Sequence, residues 1–559
     1  MEKRLGFVLI FFLGIFLLIL VKLFYWQVLS SDSLGGLAEK QRLSTIPIKA
    51  ARGRILASDG SSLVINKRAY GVYLEPKKID DKDKIISVLS KELELPSSSI
   101  SANLSNSSLF WIPVAHKVDE EKVEDLKKFN LKGLTFMDEQ KRFYPESSMA
   151  AHLLGFVGKN AKGEDQGYFG VEGYYDEQLS GRDGVLMQDQ DALGNPILSG
   201  NRQNIPAEDG RDLILYIDKT IQYIVESKLK EGIEKYGAKG GSVIVMDPST
   251  GGILALAAYP AYDPGIFSKF PSEYYKNPTI ASFYEPGSTF KVLVMAAAIN
   301  EGKVTAGKKF NEDGPVEIGG YTINTWNQKY HGEITLSQVL EYSSNVGMVF
   351  VEKQLDKNVF LRYIKDLGFG NLTGADLQEE STPQLRPANK WYEIDYATAS
   401  FGQGIATTPL QMIAAVSAIA NGGKLMEPHV VKSIKLADGK MINTAPKVKK
   451  IIYSKETTSV LKEMMVSAVD KGETRFLKPA GFRIAGKTGT AQIPISGHYD
   501  TEKTIASFVG FAPVDKPKFL MLVTIREPTA SPWGSETAAP IFFSVAREIF
   551  PYLKISATD

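Results

Sequence analysis

An uncharged apolar run, LGFVLIFFLGIFLLILV, extends from Leu5 to Val21 and resumes after Lys22 as LFYW, ending at Trp26. About 22 helical residues rise roughly 33 Å, enough for a hydrocarbon core of about 30 Å. Lys22 near one end can snorkel, Tyr25 and Trp26 suit an interfacial belt, and Lys3 and Arg4 favour a cytoplasmic N-terminus. A cleaved signal peptide is the alternative. The run exceeds the usual apolar length of about 7–15 residues for such a peptide. The downstream SSDSLGGLA is also a poor A-x-A cleavage site. The pattern predicts a membrane anchor over residues 5–27, a tail over residues 1–4, and the remainder outside the cytoplasm.

Beyond the anchor the pattern changes period. Short β-rich runs flank Asp59-Gly60, a hairpin signal, and DEEKVEDLKKF is a charged helical stretch. Loop-rich, glycine-punctuated segments follow, and the polar GNRQNIPAEDG at about 200–210 reads as a linker. DLILYIDKTIQYIVESKLKEGIEKYG then predicts a strand followed by an amphipathic helix. GSVIVMDPSTGGILALAAY reads as strand, turn and strand, and a mainly helical stretch runs from about 285 to 470. Three strand-like runs and the helical AAPIFFSVAREIFPYL close the chain. That order suggests one antiparallel sheet with helices packed on it.

Composition narrows the classes. A chain of 559 residues needs two or more domains. Lys plus Arg is 65 against 64 for Asp plus Glu, so no field favours nucleic acid. Cysteine is absent, which removes disulfides, thiolate nucleophiles and Cys-ligated metals. The five histidines form no HxH or HExxH pair, so no metal site and no cofactor is expected.

Candidate chemistry begins at EPGSTFK, Glu285 to Lys291. Ser288 precedes an apolar helical run, as a capping serine would. The residue three positions on, however, is Lys291 rather than the Glu or Gln of a capping box. Serine acyl transfer needs a nucleophile, a base within reach and donors for an oxyanion. Lys291 shares a helix face with Ser288, and a helix N-terminus offers free N–H groups. A lysine becomes half neutral near pH 7 only if shifted by about 3 pH units, which burial and a second cation can supply. Lys487 in GKTGTAQ is such a cation. Ser-x-x-Lys arises by chance about twice in such a chain, but Lys-Thr-Gly only about 0.1 times. Between them, Ser343 and Asn345 interrupt the helical pattern that starts at TLSQVLEY, where Thr335 and Gln338 form a capping box.

Ser288-x-x-Lys291, Ser343-x-Asn345 and Lys487-Thr488-Gly489 stand in the order and approximate spacing of the penicillin-binding proteins, which the chain resembles. YATASFGQGIATTPLQM and SFVGFAP look like transpeptidase-domain segments. RGRILASDG, RFYPESSMAAHLLGFVG and GVEGYYDEQLSG resemble the pedestal of the monofunctional, class B type. The resemblance implies an α+β fold. A penicillin-binding, serine β-lactamase-like transpeptidase domain, with a five-stranded antiparallel sheet and helices, would occupy residues 206–559. The transmembrane helix and an elongated α+β pedestal of the dimerisation type, over residues 35–205, would precede it.

It also implies a peptidoglycan D,D-transpeptidase. Ser288 would attack the penultimate D-Ala carbonyl of a stem peptide, and Lys291 would be the base. Ser343 would relay a proton to the leaving D-Ala, Asn345 would hold the substrate amide, and Lys487 would tune the field. Thr488, Gly489 and Thr490 would form the substrate-binding edge, with the two threonines on the terminal carboxylate. The Ser288 and Thr490 N–H groups would form the oxyanion hole, and β-lactams would trap Ser288. Expected partners are D-Ala-D-Ala stem peptides, β-lactams, the membrane, a polytopic lipid II glycosyltransferase and other wall-synthesis proteins. The division type is expected over the elongation type; a non-catalytic β-lactam-binding scaffold or sensor is a rival of another class. Ala57, Ser58 and Glu146 depart from the family's usual residues, and Glu172 matches a pedestal position that a structural salt bridge also explains.

Overall fold

The structure, a computed structural model, describes residues 2–104, 111–191, 197, 202–495 and 498–557. Met1 of the expected tail, and Gly200 and Asn201 of the expected linker, lie outside the described residues. The chain divides into two units, Met1–Arg52 with Ser180–Gly210 and Gly53–Leu179 with Arg211–Asp559.

In the first unit, helix α1 (Glu2–Phe24) continues as a π-helical turn over Tyr25–Leu29. Lys3–Leu29, 27 residues, is the one segment among the described residues long and apolar enough to cross a membrane. Strands Leu43–Ile48, Gly184–Asp189 and Arg202–Ile205 form a three-stranded antiparallel sheet. The last corrects the linker reading, because Val185 pairs with Ile205 and Gln188 with Arg202. All four of its side chains are exposed. An edge strand that pairs only through its backbone needs no apolar alternation, so polarity alone misreads it.

The second unit holds two large sheets. Ile55–Leu56 and Ser62–Leu74 pair across the Asp59-Gly60 turn, with Ile112–Asp119 and Leu134–Phe143 on either side of the long strand. Asp212–Leu215, Val431–Lys435 and Met441–Asn443 extend this sheet to seven strands. Hence the stretch expected to be mainly helical contains strands. Lys424–Met426 with Val448–Ile451, and Val431–Lys435 with Met441–Asn443, are β pairs, the second closed at Asp438-Gly439. Most lysines of these two pairs lie on exposed positions, and Met441–Asn443 and Val448–Ile451 are wholly exposed, so their hydrophobic period is weak. Arg142 and Glu172 form a buried ion pair at 2.7 Å, consistent with the structural reading of Glu172, and Glu146 pairs with Lys219.

The other sheet carries the site. Its strands are β1 (Gly240–Met246), β2 (Ile253–Tyr259), β3 (Ala485–Ile495), β4 (His498–Ala512) and β5 (Phe519–Arg526). They run β2-β1-β5-β4-β3, all antiparallel. Helix α2 (Lys219–Tyr236) covers one face, capped by Asp218, whose carboxylate accepts from the Thr220 and Ile221 N–H groups. The opposite face meets a helical layer containing α3 (Lys291–Asn300), α4 (Leu336–Glu341), α5 (Asn345–Glu352), α6 (Pro409–Ala420) and α7 (Lys455–Lys471). Helix α8 (Ala538–Tyr552) packs beside α2. Successive residues serve the two faces in turn: Val243, Val245, Met521 and Val523 join the α2–α8 core, while Ile244, Met246, Leu520 and Leu522 join the other. With both faces dry, FLMLVTI reads as a continuous apolar run instead of an alternating one.

Candidate active site

Three segments far apart in sequence meet at the outer strand, β3. The first is the 3₁₀ turn Gly287–Phe290 that leads into α3. Ser288 does not cap: neither helical segment has a side-chain cap, and the Ser288 hydroxyl makes no hydrogen bond to a described residue. Gly287 has φ 56°, and a Cβ there would stand 2.9 Å from the Thr490 carbonyl oxygen. Gly489 is equally constrained, since its Cβ would fall 2.4 Å from Ser507 Oγ and 2.9 Å from Thr289 Cγ2. Two glycines thus let the Ser288 turn lie directly against β3. The Thr490 carbonyl faces Gly287. In a strand a residue's N–H points the same way as its C=O, so the Thr490 N–H faces the turn too.

The second segment is the break between α4 and α5. The Thr335–Gln338 capping box starts α4 as the sequence predicts. The helix ends at Glu341, and Ser343 takes φ 55°, a conformation rare for a residue with a side chain. Ser344 then caps α5, its hydroxyl accepting from the Gly347 N–H at 2.8 Å. Capping thus falls to Ser344 and leaves Ser343 and Asn345 facing Lys291. Lys291 is fully buried at the first position of α3. Its Nζ donates to the Ser343 carbonyl at 2.6 Å and to Asn345 Oδ1 at 2.8 Å, and lies 3.4 Å from Ser343 Oγ.

Lys487, on β3, supplies the third. Its Nζ donates to Ser343 Oγ at 2.9 Å and to Thr488 Oγ1 at 3.0 Å. Ser343 Oγ therefore sits between two buried lysine nitrogens. Burial first, and then the Lys487 charge, hold Lys291 well below the ordinary lysine range, while Glu473 and Glu312 oppose the shift. Burial lowers Lys487 to about 8, again against Glu473. These are the two causes that a lysine base requires. Thr490 Oγ1 accepts from the Gly534 N–H at 2.9 Å, and Thr488 Oγ1 lies 3.4 Å from a Glu473 oxygen.

Ser288, Lys291, Ser343, Asn345, Lys487, Thr488, Gly489 and Thr490 thus belong to one junction. Several neighbours carried no sequence signal. Trp326 and Trp533 meet edge to face at 5.1 Å, and Trp326 Nε1 donates to the Tyr342 carbonyl. Asn345 Nδ2 donates to the Asn324 carbonyl. Glu312, wholly buried, accepts from the Ser344 hydroxyl. These contacts join loops whose own patterns are those of ordinary turns.

Residues 241–547 match the family described as penicillin binding protein transpeptidase domain, and residues 47–215 the penicillin-binding protein dimerisation domain. Stage V sporulation protein D of Bacillus subtilis is 35% identical over 99% of this chain and 86% of its own length. Peptidoglycan D,D-transpeptidase FtsI of Escherichia coli is 29% identical over 93% of this chain and 86% of its own. Among solved structures, penicillin binding protein 2X of Streptococcus thermophilus superposes with TM-score 0.75 at 25% identity, over 92% of this chain and 81% of that one. The chain belongs to the class B penicillin-binding proteins, in which a dimerisation-type domain precedes a transpeptidase domain.

Proposed function

We propose that the chain is a peptidoglycan D,D-transpeptidase that works through an acyl ester on Ser288. The observation that carries this reading is the placement of Ser343 Oγ between Lys291 and Lys487, beside a turn that presents Ser288 to the outer strand. A neutral lysine has two N–H donors and one lone pair. The Ser343 carbonyl and Asn345 Oδ1 take the two donors, which leaves the lone pair of Lys291 to receive the Ser288 proton. Ser288 Oγ then bonds to the penultimate D-Ala carbonyl carbon, and the oxyanion meets the Ser288 and Thr490 N–H groups. On collapse the C–N bond breaks, and D-Ala leaves with a proton passed through Ser343. An amine of a second stem peptide attacks the ester, forms the cross-link and returns the proton to Ser288. Thr488 and Thr490 bind the terminal carboxylate, and Lys487 supplies the positive field. β-Lactams enter by the same first step and stay on Ser288.

Lys3–Leu29 supports a single membrane anchor, with Lys3 and Arg4 at its cytoplasmic end and the catalytic part outside. The pedestal occupies residues 35–205 and the transpeptidase domain residues 206–559. The likeness to FtsI favours a septal role, and we propose a polytopic lipid II polymerase as partner. Intact-protein mass spectrometry with benzylpenicillin tests the chemistry. A penicilloyl adduct on the wild type and none on Ser288→Ala is expected. An adduct of equal yield on Ser288→Ala would overturn the assignment. Release of D-Ala without cross-linked product, given an acceptor peptide, would make it a carboxypeptidase.

A further inference from the structure

Glu312 ends the strand Lys309–Glu312 and has no solvent exposure. A buried carboxylate is costly unless its oxygens are paired. Here both are. Oε1 accepts from the Ser344 hydroxyl, and Oε2 from the His331 N–H at 3.2 Å. Pairing of this strand with Gly332–Thr335, Glu312 opposite Gly332, brings the His331 amide into place. The His331 ring stacks on Tyr342 at 4.1 Å, so the same loop holds the start of the break between α4 and α5.

Ser344 links Glu312 to the site. Its hydroxyl donates to the carboxylate and accepts from the Gly347 N–H, tying Glu312 to the first turn of α5. The residues on either side of Ser344, Ser343 and Asn345, are the two that hold Lys291. Ser343 has φ 55°, so the turn has to be held in a conformation it would otherwise leave. Charge adds a second argument. Lys291 and Lys487 are both buried. The anions acting on Lys291 are Glu473 and Glu312. Glu473 is exposed and therefore screened by water, whereas Glu312 is not.

We propose that Glu312 is a positioning residue of this site: through Ser344 its carboxylate holds the Ser343–Asn345 turn against Lys291, and it supplies a buried negative charge beside Lys291. The inference rests on the acyl-transfer reading. The other charged groups around the pair are Glu473, after α7, and Glu341 on α4, which lies 3.9 Å from Lys471. None of these touches Ser344.

The test uses the full chain in detergent and the rate of benzylpenicillin acylation between about pH 6 and pH 9. Glu312→Gln keeps an acceptor for Ser344 but removes the charge. Lys291 then loses its proton more readily, so the acid limb of the profile should move to lower pH by at least about half a unit. Glu312→Ala loses the anchor as well, and its rate should fall at least about tenfold across the range. A Gln variant with the wild-type profile, or an Ala variant within about twofold of wild type, would overturn the proposal. Hydrogen exchange separates this from failure of the acyl-transfer reading. Glu312→Ala should lose protection at residues 343–347 whether or not any ester forms, and unchanged protection there would refute the anchoring on its own.

Discussion

Replacing Lys487 with Met should make the protein more stable at neutral pH while stopping acylation. Lys487 is buried, and its ammonium titrates at about 8 instead of 10.5. At ~1.4 kcal/mol per pH unit, holding the protonated side chain in the fold costs about 3 kcal/mol at pH 7. In this case the folded value lies below the unfolded one. Between 8 and 10.5 the unfolded chain therefore binds the proton more tightly than the folded chain does. Stability rises with pH through that window, and the cost disappears above it. From pH 7 to pH 9 Lys487 alone should contribute a rise of about 1.4 kcal/mol. Met keeps the volume of the stem but has nothing to titrate. Part of its gain at pH 7 is offset because Ser343 Oγ and Thr488 Oγ1 each lose a donor, at about 1 kcal/mol apiece. The net gain at pH 7 is then about 1 kcal/mol, and it should vanish by pH 9. Urea titrations of wild type and Lys487→Met at both pH values, followed by tryptophan fluorescence, measure the difference. A gap between the two proteins that is equal at pH 7 and pH 9 would refute the reasoning, whatever its size.

Two further substitutions test other parts of the fold. Glu172→Gln strands the Arg142 guanidinium, which is 6% exposed, without its ion-pair partner, and should lower stability by about 3–5 kcal/mol in thermal denaturation. Gly489→Ala places a Cβ within 3.0 Å of the Pro286 carbonyl oxygen and within 2.9 Å of Thr289 Cγ2. It should push the Ser288 turn off β3 and slow acylation by at least about tenfold, with a stability loss of about 1–3 kcal/mol.

What could be read from the sequence follows from what each element depends on. The five-stranded sheet was legible because dry strands leave runs such as GSVIVM and FLMLVTI. The capping box at Thr335 was legible because it is local, complete within four residues. Ser288, Lys291, Ser343, Asn345, Lys487, Thr488, Gly489 and Thr490 could be assembled only by their resemblance to a known set, since Ser343 and Lys487 are 144 residues apart. The strand Arg202–Ile205 was missed because both its faces meet water. The strands between 424 and 451 were missed because two of them, Met441–Asn443 and Val448–Ile451, expose every residue. Glu312 looks like part of a turn in FNEDG, and only the pairing of its strand reveals that the carboxylate points at Ser344, 32 residues away.

Ser343 explains why these separate segments have to converge. A serine hydroxyl has one proton and two lone pairs. Lys487 Nζ donates to one lone pair at 2.9 Å, and Lys291 Nζ lies 3.4 Å from the same oxygen. With one lone pair on the Lys487 ammonium and Lys291 Nζ also facing the oxygen, the hydroxyl proton is directed away from both, which is the arrangement a donor to a leaving nitrogen requires. When Lys291 gains the Ser288 proton, its claim on Ser343 Oγ strengthens and the hydroxyl becomes a better acid. Proton uptake at one lysine and proton delivery from Ser343 are then coupled through a single oxygen. That coupling requires the backbone at Ser343 to stay in its unusual conformation, with φ 55°. The bond from Ser344 to Glu312 matters for that reason: it supplies no atom to the reaction, yet it holds the oxygen on which both proton transfers depend.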